Sequence, residues 1–208
     1  EAQAVFDRSL EWWSMGQAVL AEFVQSETDA EALIRAREIA LAGRDRHPTS
    51  VGGRRCNHIV AAIEQPNYTL AAMAVDGAGK RSFQVSHQNL KTLYFRAWSY
   101  DLMAFVASSE DYNILPSHRE AEAIMTGTPV AEWSVDLPPT PDYRSHTTYV
   151  VPELTRPGAY LVTASMRADF KDDVNFMVAE NFLLSDLVLV TRPVTGGYEV
   201  TARSGKTG

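Results

Sequence analysis

The spacing of apolar residues changes from a helical period to a strand period near Asn67, and this change constrains the fold most strongly. Before Asn67, apolar residues recur at spacings of 3, 4 and 7, which is typical of one face of an amphipathic helix. After it, alternate residues are apolar, which is typical of strands. The sequence therefore predicts an α+β protein, with antiparallel helical hairpins over residues 1–65 and an antiparallel β-sandwich over residues 66–208. The first apolar stripe consists of Phe6, Leu10, Trp13, Leu20 and Val24.

Capping and turn residues divide the N-terminal segment into three predicted helices. Thr28 and Glu31 have the spacing of a capping box, which predicts a second helix that ends near Gly43. Ser50 follows the break at Pro48 and is a typical N-cap for a third helix. Short helices joined by a proline-containing turn are typical of tetratricopeptide-like hairpins. The apolar face of the third helix is Cys56, Ile59, Val60 and Ile63.

Short alternating segments predict the strands of the sandwich. The segment from Leu90 to Tyr100 is rich in aromatic residues and apolar on both faces, which predicts a central strand. Residues 101–142 form a predicted helical and loop insertion, with a short helix capped by Ser117 and Glu120. Several strands with turns between them predict a sandwich. The other predicted strands lie at 68–75, 83–87, 160–166, 187–190 and 198–202.

Composition excludes several classes of partner. The 19 basic and 26 acidic residues give a net charge of −7, whereas a nucleic-acid surface or a polybasic membrane strip needs clustered Lys and Arg. Apolar runs stay well below the roughly 20 residues of a membrane span. The single cysteine, Cys56, cannot form a disulfide within the chain. Its place on the apolar side of a helix predicts a buried thiol.

No motif predicts catalysis, a cofactor or a metal ion. Gly205-Lys206-Thr207 lacks the first glycine of a phosphate-binding loop, because Val200 occupies that position. There is no Gly-x-Ser-x-Gly elbow, and no Ser/His/Asp set is evident. We therefore predict a non-enzyme, with no catalytic, cofactor-binding or metal-binding residue. The five scattered histidines lack metal-ligand spacing: His47, His58, His87, His118 and His146.

Trp12, Trp13 and Phe23 form the candidate interaction surface. Aromatic residues more often belong to a core, but two adjacent tryptophans on a helix cannot face the same way. One of them should therefore be exposed or cover a neighbouring domain. This favours, as an alternative function, a module whose hairpins bind a peptide or protein. An adhesion-type or carbohydrate-binding sandwich is a further alternative, on fold analogy alone.

Three segments, taken in order, resemble one family. Residues 89–98 (NLKTLYFRAW), 154–162 (LTRPGAYLV) and 185–208 are similar to segments of the large bacterial alpha-2-macroglobulin-like proteins that have tetratricopeptide-like helices before their macroglobulin domains. The end of the chain departs from the family pattern, with Ser-Gly-Lys-Thr-Gly in place of Thr-Gly-Lys-Pro-Val. The chain also starts at Glu1 without a methionine, so we expect a piece of a larger protein.

The resemblance implies a macroglobulin-like or fibronectin-III-like sandwich whose end enters the next domain. It implies a scaffold segment of a protease trap, in the bacterial periplasm or outside the cell, with the parent protein anchored to a membrane. The partners would be proteases, bound by the full-length parent, and neighbouring macroglobulin domains of the same chain. Some members use a Cys-x-Glu-Gln thioester, but Cys56 is followed by Asn57-His58-Ile59, so no functional residue transfers to this chain.

Overall fold

The structure is a computed structural model that describes residues 10–73, 81–108, 115–171 and 175–204. Helices and antiparallel sheets both occur in it, so the predicted α+β class is confirmed. The helices are α1 (Glu11–Gln25), α2 (Ala32–Arg46), α3 (Val51–Glu64), α4 (Leu102–Ser108) and α5 (His118–Met125). The strands are β1 (Asn67–Ala72), β2 (Phe83–Gln88), β3 (Thr92–Tyr100), β4 (Ala131–Asp136), β5 (His146–Val150), β6 (Gly158–Ser165), β7 (Met177–Leu184), β8 (Leu187–Val194) and β9 (Gly197–Ser204).

The described residues fall into two compact units. One lies within Glu1–Asn67, His87–Leu90 and Pro139–His146 and contains α1, α2 and α3. The other lies within Tyr68–Ser86, Lys91–Pro138 and Thr147–Gly208 and contains most of the strands. Two short segments that follow strands in the sequence thus belong to the helical unit.

Small residues bring the three long helices together. Gly52 on α3 packs against the α1 backbone, where an added Cβ would lie 2.5 Å from the carbonyl carbon of Ser14. The hydroxyl of Ser14 donates a hydrogen bond of 2.7 Å to the carbonyl of Gly43 on α2. The buried Cys56 Sγ lies 3.4 Å from the Ser14 carbonyl oxygen, as expected for a structural thiol. This close approach sets which face of α1 is buried.

The buried face of α1 differs from the predicted stripe. Trp13 and Val24 are buried as predicted, but Leu10 and Leu20 are 49% and 41% exposed. The core instead contains the small residues Ala18 and Ala21, because both α2 and α3 pack closely on that side. Phe6 lies outside the described residues.

The capping predictions had mixed outcomes. The Thr28–Glu31 capping box is wrong: the Glu31 N–H donates to the Asp29 carboxylate at 3.0 Å, and α2 starts at Ala32. The predicted end at Gly43 is also wrong, because α2 continues to Arg46. Ser50 caps α3 as predicted, since its Oγ accepts a hydrogen bond of 3.0 Å from the Gly53 N–H. The capping box of α5, formed by Ser117 and Glu120, is confirmed.

The strands form a sandwich with aromatic contacts between its sheets. One sheet has the order β1-β2-β5, and a second has the order β4-β3-β6-β7 with antiparallel pairing throughout. Phe83 of the first sheet lies 4.8 Å from Phe182 and 6.3 Å from Phe95 of the second, measured between ring centres. The Tyr68 hydroxyl donates to the Ala164 carbonyl at 2.7 Å. These contacts show that the two sheets face each other.

The strand predictions hold for β1, β2, β3, β6, β8 and β9 within a few residues of each end. β3 is central, with neighbours on both sides, as its aromatic pattern predicted. Strands β5 and β7 and helix α4 were not predicted from the sequence, and the apolar residues of β7 and α4 lack a clear period of either kind. The turn predicted around Asp76 and the Gly205-Lys206-Thr207 segment lie outside the described residues.

Candidate interaction surface

The structure separates the three aromatic residues proposed from the sequence. Trp13 is 6% exposed and packs in the helical core. Trp12 and Phe23 are 75% and 65% exposed. They are 11 positions apart on α1, which is about 16 Å along the axis and close to three full turns. Trp12 and Phe23 therefore lie on one face of α1, and Trp13 lies on another.

Further apolar residues continue this exposed face. Val19 lies between Trp12 and Phe23 at spacings of 7 and 4, and it is 54% exposed. We call Trp12, Val19 and Phe23 the α1 stripe. Gly16, also on this side, has no heavy atom of a described residue within 4 Å of the position of an added Cβ. A helix with apolar residues on nearly every side is typically buried by neighbouring elements on every side.

A shallow cavity of about 400 Å³ lies elsewhere in the helical unit, and one of about 150 Å³ borders the α1 stripe. The smaller one is lined by Trp12 and Met15 on α1 and by Val51 on α3, which is 64% exposed. Beside it, Arg55 pairs with Glu22 at 2.6 Å, and both side chains are partly exposed. Such a surface pair contributes little stability, so the apolar residues dominate this surface.

Val19 and Val51 also belong to this surface and were not predicted from the sequence. The signal that identifies Val19 is its spacing of 7 from Trp12 and 4 from Phe23, which places the three on one helical face. Val51 follows the cap at Ser50 and has no such signal, because it joins the surface through the packing of α3 on α1.

Side chains suited to nucleophilic or metal chemistry are not brought together in the part of the chain that the structure describes. No group of three or more His, Cys, Asp or Glu residues there could hold a metal ion. Burial raises the pKa of the Cys56 thiol, and it is held between helices, so a reactive thiolate is disfavoured.

Two of the scattered histidines come close in space. His87 on β2 is 1% exposed, and neither of its ring nitrogens has a hydrogen-bond partner in the part of the chain that the structure describes. Burial lowers the pKa of His87, and the nearby His146 lowers it further. His146 Nε2 lies 2.8 Å from a carboxylate oxygen of Asp142. His87 is therefore held in the neutral form by its surroundings.

We expect His87 to make the protein less stable in mild acid. Because its pKa is depressed in the folded state, protonation favours unfolding, and stability falls as the pH drops below the ordinary histidine value of about 6.5. The melting temperature of His87→Leu should therefore fall less than that of the wild type between pH 7.5 and pH 5.5. The exposed His58→Gln is the control and should follow the wild type. Parallel pH profiles for His87→Leu and wild type would contradict the prediction.

Asn89, the first residue of the family-like motif, has a definite structural role. Its backbone has a φ of +53°, in the left-handed region that Asn tolerates better than most residues. Its side-chain amide donates to the carbonyl oxygens of Ile63 at 2.6 Å and Gln65 at 3.2 Å, at the C-terminal end of α3. Its backbone N–H donates to the Thr140 hydroxyl at 2.8 Å. Asn89 thus satisfies helix-end carbonyls and connects three segments of the helical unit.

Replacing Asn89 should separate its two contributions. Asn89→Ala loses the side-chain hydrogen bonds and strains the backbone, for an expected loss of about 2 kcal/mol in the free energy of unfolding. Asn89→Gly keeps the backbone conformation and should lose only about half of that. Urea unfolding monitored by circular dichroism measures both. Equal stability of the two variants would show that the positive φ contributes nothing.

The second motif, around Pro157 and Gly158, forms the entry to β6. The Tyr160 hydroxyl donates to the Arg156 carbonyl at 2.6 Å and closes this turn. Tyr160 is 6% exposed and pairs with Phe182 across the ladder, so it starts the inner face of β6 as predicted. The turn borders an open cavity of about 720 Å³.

The third motif lies in the β8–β9 hairpin, which has a strongly apolar face. Strands β8 and β9 form a two-stranded sheet, and their register places four large apolar side chains on one side. We call this the hairpin face. Its residues are between 58% and 76% exposed: Leu187, Leu189, Tyr198 and Val200. Within the described ranges no third strand pairs with this hairpin.

None of the helices in the described residues combines the length and the apolar character needed to cross a bilayer. Neither a protein-family model nor a curated protein sequence matches this chain.

Two solved structures are similar to this chain, and both are fragments of native alpha-2-macroglobulin from Escherichia coli. The fragment spanning domains NIE-MG1 has a TM-score of 0.44 and 15% identity, over 69% of this chain and 72% of that fragment. The fragment spanning domains MG0-NIE-MG1 has a TM-score of 0.45 and 17% identity, over 69% of this chain and 47% of that one. Both fragments come from an alpha-2-macroglobulin, and the three sequence motifs resemble segments of bacterial alpha-2-macroglobulin-like proteins.

Proposed function

We propose that this chain is a scaffold segment of a large bacterial alpha-2-macroglobulin-like protease inhibitor and has no catalytic site of its own. The exposure of the apolar hairpin face is the observation that supports a scaffold role best. Four large apolar side chains are exposed together on a two-stranded sheet, which is at most marginally stable alone in water. Contiguous apolar surface of this kind is typical of a surface that another domain covers.

The family-like motifs support the same proposal from a second direction. Their residues serve the fold: Asn89 satisfies the end of α3, and Tyr160 closes the turn before β6. Residues that hold domains in shape are what a scaffold segment requires. In this proposal the longer protein acts in the periplasm or outside the cell, anchored to a membrane, and it binds proteases through regions beyond this segment.

The first test compares this segment with its full-length parent. Each is incubated with a panel of proteases, and residual activity is measured on a large protein substrate and on a small peptide substrate. A trap blocks access of the large substrate while the small one is still cleaved. We expect this pattern for the parent and no inhibition by the segment alone. Inhibition by the segment alone, or random degradation of the parent, would contradict the proposal.

A second measurement identifies the type of trap. The parent is treated with methylamine and then with protease, and its intact mass and fragments are recorded. A mass gain on one glutamine with cleavage in one loop indicates a thioester-dependent trap. Cleavage in one loop without a mass gain indicates a trap that lacks a thioester.

The α1 stripe favours a second candidate, a module that binds a peptide or protein. Trp12 and Phe23 are well suited to such a surface, because large exposed aromatic residues dominate binding energy at interfaces. In the scaffold proposal, the same stripe contacts a neighbouring domain of the parent. The two candidates therefore assign different occupants to one surface.

The double variant Trp12→Ala/Phe23→Ala distinguishes these occupants. The isolated segment should keep its melting temperature, since both side chains are mostly exposed. If the stripe contacts a neighbouring domain, the parent melts at a lower temperature than wild type. If it binds a separate partner, the parent's melting is unchanged and partner pull-down is lost. Met103→Ala, which removes a side chain that is 76% exposed, is the matched control and should affect neither measurement.

A further inference from the structure

The cavity of about 400 Å³ in the helical unit has an unusual lining for an acidic protein. Its polar residues are Gln25, Gln88, Arg144 and Ser145, and its apolar wall includes Leu33 and Ile63. Among the described residues no carboxylate lines it, although the chain as a whole has a net charge of −7. Arg144 therefore provides the charge of this cavity.

The guanidinium of Arg144 has no carboxylate partner in the described parts of the chain. Its Nη2 donates to the backbone carbonyl of Asp29 at 2.6 Å. Its Nε–H is buried and has no hydrogen-bond acceptor. An unpaired guanidinium that is mostly shielded from water is unfavourable by itself, and an anion beside it relieves that cost.

The carboxylates of Asp29 and Asp142 already have hydrogen-bond partners on other side chains. The Asp29 carboxylate accepts from Arg35 at 2.8 Å and 2.9 Å, and the Asp142 carboxylate lies 2.8 Å from His146 Nε2. Arg37, which lies over the Tyr143 ring beside the cavity, is paired with Glu64. Among the described residues, Arg35, Arg37 and His146 each contact a carboxylate, and Arg35 contacts a second one on Glu27. The Arg144 guanidinium contacts a backbone carbonyl instead.

The chemistry of the lining indicates what would complete it. A carboxylate accepts two parallel hydrogen bonds from an arginine, which is one of the strongest polar contacts in proteins. The two glutamine amides each offer donors and an acceptor, as a peptide group requires. The apolar wall suits a neighbouring apolar side chain, and the volume is within the range of ligand pockets.

We propose that this cavity binds an acidic peptide segment of a partner protein, with the carboxylate of an Asp or Glu side chain on Arg144. Gln25 and Gln88 then bond to the peptide backbone, and Leu33 and Ile63 contact the residue beside the acid. A peptide contacts the amides and the apolar wall as well as Arg144, whereas a small free acid would leave the amides and the wall unused.

The test measures binding of two peptides to the full-length parent by fluorescence anisotropy. The probes are Ac-Ala-Leu-Glu-Leu-Ala-NH2 and its Gln counterpart, each with a neutral dye. We expect the Glu peptide to bind at least about 10-fold more tightly, since this preference corresponds to one charge-assisted contact. Arg144→Gln should abolish the preference. Arg54→Gln, which removes an exposed arginine on α3, should retain it.

Other outcomes would overturn the proposal. Equal binding of the two peptides, or binding of neither, excludes a carboxylate site at Arg144. If millimolar glutarate displaces the Glu peptide completely and binds with the same affinity as that peptide, the cavity is a site for free anions, and a peptide site is excluded. If Arg144→Gln does not fold by circular dichroism, Arg144→Lys keeps the charge without the bidentate geometry and should weaken the Glu peptide alone. No outcome depends on whether the parent inhibits proteases.

Discussion

Gly52→Ala is expected to unfold the helical unit at temperatures where the wild type is fully folded. An added Cβ would lie 2.5 Å from the carbonyl carbon of Ser14 and closer still to the backbone nitrogen of Met15. These are backbone atoms of α1, so no side chain can move to make room. Overpacking costs about 1–3 kcal/mol where neighbours can shift, and we expect more than about 3 kcal/mol here.

Gly16→Ala is the matched control for Gly52→Ala. Both glycines lie within helices, but no atom of the described residues lies within 4 Å of an added Cβ at Gly16. Alanine there should stabilise the protein by about 0.5–1 kcal/mol, because it restricts the unfolded chain and favours the helix. Thermal unfolding at 222 nm measures both variants. If both variants shift the thermal unfolding transition in the same direction, the close packing of α1 on α3 at Gly52 is contradicted.

Tyr68→Ala should have the second large effect, a loss of about 4 kcal/mol in the free energy of unfolding. The side chain is 1% exposed, and its ring meets Phe176 edge to face at 5.3 Å. Its hydroxyl donates to the carbonyl oxygens of Ala164 at 2.7 Å and Phe176 at 3.1 Å. Burial also raises the pKa of this hydroxyl, so it stays a donor throughout the useful pH range.

Tyr68→Phe isolates the hydroxyl from the ring. It keeps the aromatic packing but leaves two carbonyls without this donor, for an expected loss of about 1–3 kcal/mol. Tyr149→Phe, at a side chain that is 60% exposed, is the control and should change stability by less than about 0.5 kcal/mol. Chemical denaturation with tryptophan fluorescence reports on both. If Tyr68→Phe is as stable as Tyr149→Phe, the hydroxyl does not hold the sheets together.

The sequence predicted elements best where a local signal and burial agree. Ser50 caps α3, and Cys56, Ile59, Val60 and Ile63 are buried as their helical spacing predicted. Phe83, Val85 and His87 alternate inward on β2 as expected. In each case the period of the local structure directly determines which side chains share a face.

Predictions failed where a tertiary contact outweighed a local signal. Gly43 is a typical helix end, yet α2 continues to Arg46, and the missing side chain of Gly43 leaves room for Cys56. Leu20 belongs to the predicted stripe, yet it is exposed because the close packing of α2 and α3 centres the buried face on Ala18 and Ala21. Strand β7 was missed because Glu180 lies among its apolar residues on the inner face, where burial raises the pKa of its carboxyl.

The candidate sites differ in how far the sequence could identify them. The adjacent tryptophans predicted that one of them is exposed or covers a neighbouring domain, but the sequence prediction did not say which one shares a face with Phe23. Which of the two faces water depended on where α2 and α3 pack. The cavity at Arg144 had no sequence signal, because its lining comes from segments up to 120 residues apart, from Gln25 to Ser145.

The sequence by itself determined the α+β class, the change from helices to strands near Asn67, and the family-like motifs, because each follows from residues close together in the chain. Only the tertiary structure decided which apolar residues remain exposed and which charges lack a partner. Exposure and charge pairing depend on neighbours that are distant in sequence, and no local pattern contains that information. Examples are the packing of Gly52 on the Ser14 backbone and the hydrogen bond from Arg144 to the Asp29 backbone carbonyl.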